Sequence, residues 1–255
     1  MSKINVDTWE PEGASTAATL MASGDTVTVP SGASLVVASG ATINITGATQ
    51  TGFPSAGFND KKYYTASATW TKPTDITKLV VEVQGAGGSG SYWTSAQWVG
   101  GGTAGGYVQA VIDVTNIDTA TVVVGSGGAA KGSNSLGADG GLSSFAYATG
   151  SGSFTTLSGT GGNGNEAPNA GGVAEPGVSG TGPAGALIIA SAGGPSDYYS
   201  NWVGGDSMFG FGGNAANTGQ TQLPNATGYG AGGGGGLSIT SGSGSPGLVI
   251  VTEYK

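Results

Sequence analysis

Residues 85–90, Gly-Ala-Gly-Gly-Ser-Gly, directly follow the apolar run Leu-Val-Val-Glu-Val-Gln at 79–84. A strand followed by G-x-G-x-x-G is the dinucleotide-binding pattern, in which a helix after the glycines holds the phosphates on its N-terminal amides. Here the glycines lead into SYWTSAQWVGGGTAGG, which has no helical period. No acid stands about twenty residues on to take a ribose hydroxyl, and the next one, Asp113, falls inside another expected strand. Nucleotide binding is not expected. No GK[ST] occurs, so there is no P-loop. The segment GGDSMFGFGGN at 204–214 resembles one copy of a calcium nonapeptide, which works only in tandem arrays, and reads as a structural turn.

Cleavage of a polysaccharide needs two carboxyl groups facing one bond. Between Gly125 and Gly247 the acids are Asp139, Glu166, Glu175, Asp197 and Asp206, and no spacing pairs them. Asp197 and Asp206 flank a group of aromatics and are the best placed of the five if catalysis exists. The chain has no His and no Cys, which removes the commonest general base, thiol chemistry and disulfides. It is read as a non-enzyme with no cofactor and no metal.

The aromatics carry more information. Tyr92, Trp93 and Trp98 lie in one glycine-rich excursion; Tyr198, Tyr199 and Trp202, then Phe209, Phe211 and Tyr229, lie in others. An aromatic in such a loop either anchors it to a core or stands out as a platform. Trp and Tyr join an apolar face to a polar tip, which suits sugar stacking and interface hot spots. Tyr92, Trp93, Trp98, Tyr198, Tyr199, Trp202 and Tyr229 are the candidate receptor-binding residues. Phe209 and Phe211, lacking a polar handle, fit anchors better, and Trp70 is expected in the core.

The composition sets the frame for these residues. There are 53 glycines in 255 residues, all but seven of them between Gly85 and Gly247. Each costs conformational entropy on folding, so a folded chain must use the missing side chain for positive φ, tight turns or close backbone packing. Charge is only 9% and hydrophobic content 37%, with five Trp, nine Tyr and six Phe, which fits disorder poorly. The net charge is −8, and all seven cations are lysines, which argues against nucleic acid and anionic membranes. No apolar run is long enough to insert in a membrane. The start, MSKINVDTWEPEG, lacks the apolar stretch of a signal peptide.

Residues 23–52 repeat with period eight: SGDTVTVP, SGASLVVA, SGATINIT. Apolar pairs recur at the same offsets, Val27 and Val29, Leu35 and Val37, Ile43 and Ile45. That is strand alternation broken by Ser-Gly turns, or else a flexible linker. Three such strands make too small a core alone, and stacking with identical chains about a threefold axis would bury these residues as a trimeric shaft core. Further strands are expected at 63–70, 79–83, 107–114, 121–124, 143–147, 154–157, 187–190 and 248–254. A short helical turn near 14–21 is the one exception. The class is all-β, most simply a β-sandwich. Its glycine-rich excursions are either mobile loops or ordered polyproline-II-type helices with three residues per turn.

From residue 63 onward the order of blocks resembles a glycine-rich domain of bacteriophage tail-fibre proteins. The blocks are ATWTKPTDITKLVVEVQGAGGSG, GGGTAGGYVQAVIDV, TATVVVGSGG, GGLSSFAY, GAGGGGG and SPGLVIVTEYK. The opening KINVDTWEP with GDTVTVPSGA is similar to the modules that begin marine phage (cyanophage-like) fibre proteins. The strand-plus-GAGG block also resembles the glycine-rich extracellular region of anaplastic lymphoma kinase, which implies a jelly-roll-like sandwich carrying packed glycine helices. The phage resemblance implies a homotrimeric virion fibre, made in the host cytoplasm, that attaches to the host by multivalent, non-catalytic binding. Residues 1–22 would attach to a phage tail or other virion protein, 23–52 would form the octad-repeat shaft, and 53–255 the tip. Its partners would be itself, that virion protein, and a bacterial surface glycan or outer-membrane component. The alternatives are a head or tail decoration or adaptor protein without a receptor, and a polysaccharide depolymerase.

Overall fold

Along 78–84 and 107–113 every second residue is apolar and buried, along 248–254 nearly every residue is buried, and each run is a strand. The computed structural model describes residues 57–95, 99–164, 179–189, 202–217 and 225–255. In chain order the strands are β1 (Phe58–Tyr64), β2 (Ala68–Thr71), β3 (Lys78–Gln84), β4 (Tyr92–Trp93), β5 (Tyr107–Asp113), β6 (Ile117–Val123), β7 (Ser143–Gly150), β8 (Leu157–Gly159), β9 (Gly180–Thr181), β10 (Leu187–Ile189), β11 (Ala216–Asn217), β12 (Gly236–Leu237) and β13 (Leu248–Tyr254). Among the described residues there is no helix. The possible helical turn at 14–21, the octad repeat and its residues Val27, Val29, Leu35, Val37, Ile43 and Ile45 lie outside the described residues.

Two five-stranded antiparallel sheets form, β1-β13-β3-β5-β10 and β2-β6-β7-β8-β9. They share one core. The first sheet contributes Leu79, Val81, Val83, Val108, Ala110, Ile112, Val249 and Val251; the second contributes Trp70, Ala120, Val122, Phe145 and Leu157. Trp70 is fully buried, as its strand position suggested, and meets the Phe145 ring edge-on at 6.0 Å. The single strand expected at 63–70 is two strands in different sheets, because Thr65–Ser67 turn the chain from one sheet to the other. The strand expected at 154–157 starts later, at Leu157. Phe154 instead lays its ring against Phe145 at 5.5 Å, so its apolar character serves packing rather than strand pairing.

Six glycine-rich segments leave the sheets at one end. Gln84, where β3 ends, faces Tyr107, where β5 begins, and Leu248, where β13 begins. In the other sheet the end of β6 faces the start of β7, and Ser143 faces Gly159 at the end of β8. The segments attached there form a bundle held by backbone hydrogen bonds. Successive amides of residues 85–91 donate in strict rotation to three neighbours. Gly85, Gly88 and Ser91 donate to Gly106, Thr103 and Gly100; Ala86 and Ser89 donate to Gly141 and Ala138; Gly87 and Gly90 donate to Ser245 and Gly242. Carbonyls of the same segment accept from three more: Ala86 from Gly162, Gly87 from Gly128, Gly88 from Gly233. Residues 85–91 are thus surrounded by six segments.

Close approach, not unusual dihedral angles, is what these glycines supply. Among the described glycines only Gly57, Gly150, Gly185, Gly228 and Gly230 have φ in the left-handed region. A Cβ on Gly88 would overlap the Asn163 carbonyl, and one on Gly232 would overlap that of Gly102.

Candidate functional site

The bundle end away from the sheets is built around Tyr92 and Trp93. Residues 85–91 extend β3 directly into β4, and β4 pairs in parallel with β12, Tyr92 opposite Gly236 and Trp93 opposite Leu237. On its other side Tyr92 exchanges two backbone bonds with Ser135, at 3.1 and 3.0 Å. The Asn134 side chain accepts the Thr94 amide at 3.0 Å, and the Trp93 carbonyl accepts the Ser238 amide at 2.9 Å. Both residues of β4 are half-buried, with Trp93 Nε1 on the inner side. Their backbone is held from two sides while part of each residue meets solvent.

Trp202 is an anchor. It is only 5% exposed, its carbonyl accepts the Gly235 amide at 2.6 Å, and it packs with Val99 over Gly235. Of the two roles open to a loop aromatic, burial fits this residue to holding the bundle together. Trp98, Tyr198, Tyr199 and Asp197 lie outside the described residues.

Tyr229 is elsewhere. It bridges to Phe209, and the pair stands over the outer face of the first sheet, where the Phe209 ring lies 5.9 Å from that of Tyr107. The structure therefore does not gather the described candidates Tyr92, Trp93, Trp202 and Tyr229 into one patch. Tyr92 and Trp93 stand at the end of the bundle, Trp202 is buried, and Tyr229 flanks the sheet. Phe211 is 74% exposed, contrary to the anchoring role that its lack of a polar handle suggested. Phe209 is half-buried.

The acids in this region hold backbone. Asp206 accepts the Gly212 amide at 2.7 Å, closing the 204–214 turn, and Asp139 accepts the Gly164 amide at 2.8 Å. Among the described residues no cluster of three metal-ligating side chains occurs. The G-x-G-x-x-G amides that would cradle a phosphate already bond carbonyls of neighbouring segments, Gly85 to Gly106, Gly87 to Ser245 and Gly90 to Gly242.

Two polar constellations went unread in the sequence. Glu253, fully buried, accepts Trp70 Nε1 at 2.9 Å, Lys62 Nζ at 2.7 Å and Asn59 Nδ2 at 3.2 Å. The signal was an acid in phase with Val249 and Val251 on the buried side of β13. Glu82 accepts the Tyr107 hydroxyl at 2.9 Å and lies 3.8 Å from Lys61 Nζ. Burial of Tyr107, and then this bond to a carboxylate, hold its phenol well above its ordinary pKa near 10.0. Here the signal was an acid out of phase with Val81 and Val83.

A family model for a glycine-rich domain matches residues 62–254. No curated protein matches the chain.

Proposed function

The chain belongs to the glycine-rich domain family, and we propose that it is a bacteriophage fibre protein that attaches to a host surface by non-catalytic, multivalent binding. The observation that carries this is the end of the bundle. A side-chain-poor rod, continuous with β3, fixes the backbone of Tyr92 and Trp93 and leaves both residues half-exposed.

The rotation of hydrogen bonds with period three supports polyproline-II-type geometry for the glycine segments. At about 3.1 Å per residue, residues 85–91 carry Tyr92 about 20 Å past the sheet. Two sheets feeding one bundle also suit a jelly-roll-like sandwich. A rod of backbone hydrogen bonds holds shape without a hydrophobic core of its own, so rings at its end lose little freedom on binding. In this reading residues 23–52 form the trimeric shaft and residues 1–22 meet the virion.

The test is retention of the purified full chain on a panel of marine bacteria and cyanobacteria, measured by co-sedimentation. At least one strain is expected to retain it, and Trp93→Ala is expected to weaken retention by at least about tenfold with unchanged thermal melting. Failure on every strain sinks the attachment reading in favour of a decoration or adaptor role. Released oligosaccharide would instead favour a depolymerase.

A further inference from the structure

We infer that a groove on the outer face of the first sheet is a binding site for one neutral saccharide unit. Its volume is about 410 Å³, within the ~300–1,000 Å³ of small-molecule sites. Register builds it. Tyr63 of β1 stands opposite Ile250 of β13, which stands opposite Glu82 of β3, so the three share one row on one face. Leu248 and Ile250 form an apolar floor, Tyr63 lines one side, and the bridged pair Phe209 and Tyr229 also lines the groove.

Two charges stand at this apolar surface. Glu82 Oε2 accepts the Tyr107 hydroxyl at 2.9 Å, which fixes the carboxylate; Oε1 lies 3.8 Å from Lys61 Nζ, beyond hydrogen-bond length. Both groups therefore keep capacity for a ligand, Oε1 as acceptor and the ammonium as donor. Lys61 is also 5.6 Å from the Tyr63 ring centre, within cation–π range.

This combination selects its ligand. An alkyl chain would strip water from Glu82 and Lys61 and give nothing back. A charged ligand would repel one of the pair as it attracted the other. A pyranose ring meets both demands: its C–H face lies on Tyr63, which is 62% exposed, and its hydroxyls donate to Glu82 and accept from Lys61. The inference rests on the attachment reading only for the source of the saccharide, since the groove and the Tyr92–Trp93 end are separate places.

The experiment uses the full chain and the methyl glycosides of glucose, galactose, mannose and N-acetylglucosamine, observed by saturation-transfer NMR. At least one glycoside is expected to receive saturation. Tyr63→Ala and Glu82→Gln are each expected to weaken it by about tenfold, while Thr149→Ala, on an exposed strand position of the other sheet, leaves it unchanged. Tyr63 is exposed, so its truncation leaves the fold intact, and a thermal melt checks this. No transfer to any glycoside, or transfer unchanged in both groove variants, overturns the inference even where bacteria retain the chain. A change in molecular mass on Tyr63→Ala also overturns it, by assigning the groove to a second copy of the chain. Glycoside binding without retention by any strain upholds the groove and sinks attachment.

Discussion

Glu253 and Trp202 show how much depends on single residues. Glu253 brings a carboxyl side chain into the sandwich and joins the sheets, because Trp70 belongs to one and Lys62 and Glu253 to the other. Removing the cation leaves the carboxylate buried with neutral donors only. Lys62→Met is therefore expected to destabilise by about 3 kcal/mol, the lower end for breaking a buried pair since two donors remain. Glu253→Gln should cost less, about 1–2 kcal/mol, because the Lys62 side chain is 35% exposed and can turn to water. Chemical denaturation that ranked the two variants the other way would refute this account. Trp202→Ala is expected to lose about 3–5 kcal/mol by leaving a cavity at the bundle, in contrast to Trp93→Ala, which affects binding. Tyr107 adds a pH signature. Its folded-state pKa is raised, so the stability it contributes is full below its ordinary value near 10.0 and is lost as pH rises toward the folded value. In an alkaline absorbance titration the Tyr107→Phe variant should lack a late-ionising tyrosinate, and Glu82→Gln should bring that step to lower pH.

At the scale of elements, the glycine segments invert the usual logic of substitution. A Cβ normally favours folding by restricting the unfolded chain. In the bundle it meets a neighbouring carbonyl that is itself hydrogen-bonded and cannot move. Gly88→Ala and Gly232→Ala are each expected to cost about 3 kcal/mol or more. At Gly132 the nearest atom to an added Cβ is Thr240 Oγ1 at 3.9 Å, so Gly132→Ala should be neutral or stabilising by up to about 1 kcal/mol. Equal melting temperatures for Gly88→Ala and Gly132→Ala would count against a packed bundle. Strands with period-two apolar residues were legible in the sequence: 79–83, 107–114 and 248–254 lie within a residue of β3, β5 and β13 at each end. The two-residue strands were not: β4, β11 and β12 have partners chosen by the bundle and not by side-chain pattern, and β9, beside β8, is too short to show a period. The aromatics were legible as types, but nothing local distinguishes buried Trp202 from half-buried Trp93. That difference depends on tertiary neighbours: Trp202 meets Val99 at Gly235.

Over the whole molecule, the described residues of the glycine-rich unit close on themselves. The sheets share one core, and its ends meet where Gly57 and Lys255 exchange backbone bonds at 3.3 and 3.0 Å. A chain trimmed to 57–255 is therefore expected to fold as a monomer with a cooperative melt. The full chain, with the octad repeat as shaft, is expected to scatter light as three copies. The two forms then separate affinity from avidity. A soluble methyl glycoside engages one groove at a time, so both forms should bind it equally. On a cell, three linked tips turn the second and third contacts into local events, typically worth a factor of about 10²–10⁴. The trimmed chain should accordingly lose at least about a hundredfold in surface retention with no change in glycoside binding. A monomer mass for the full chain at micromolar concentration, or equal retention of the two forms, would remove the shaft from the mechanism. At a net charge of −8, with charges screened beyond about 8 Å at physiological salt, the gain from linked tips should persist as salt is raised, because it comes from tethering and not from steering.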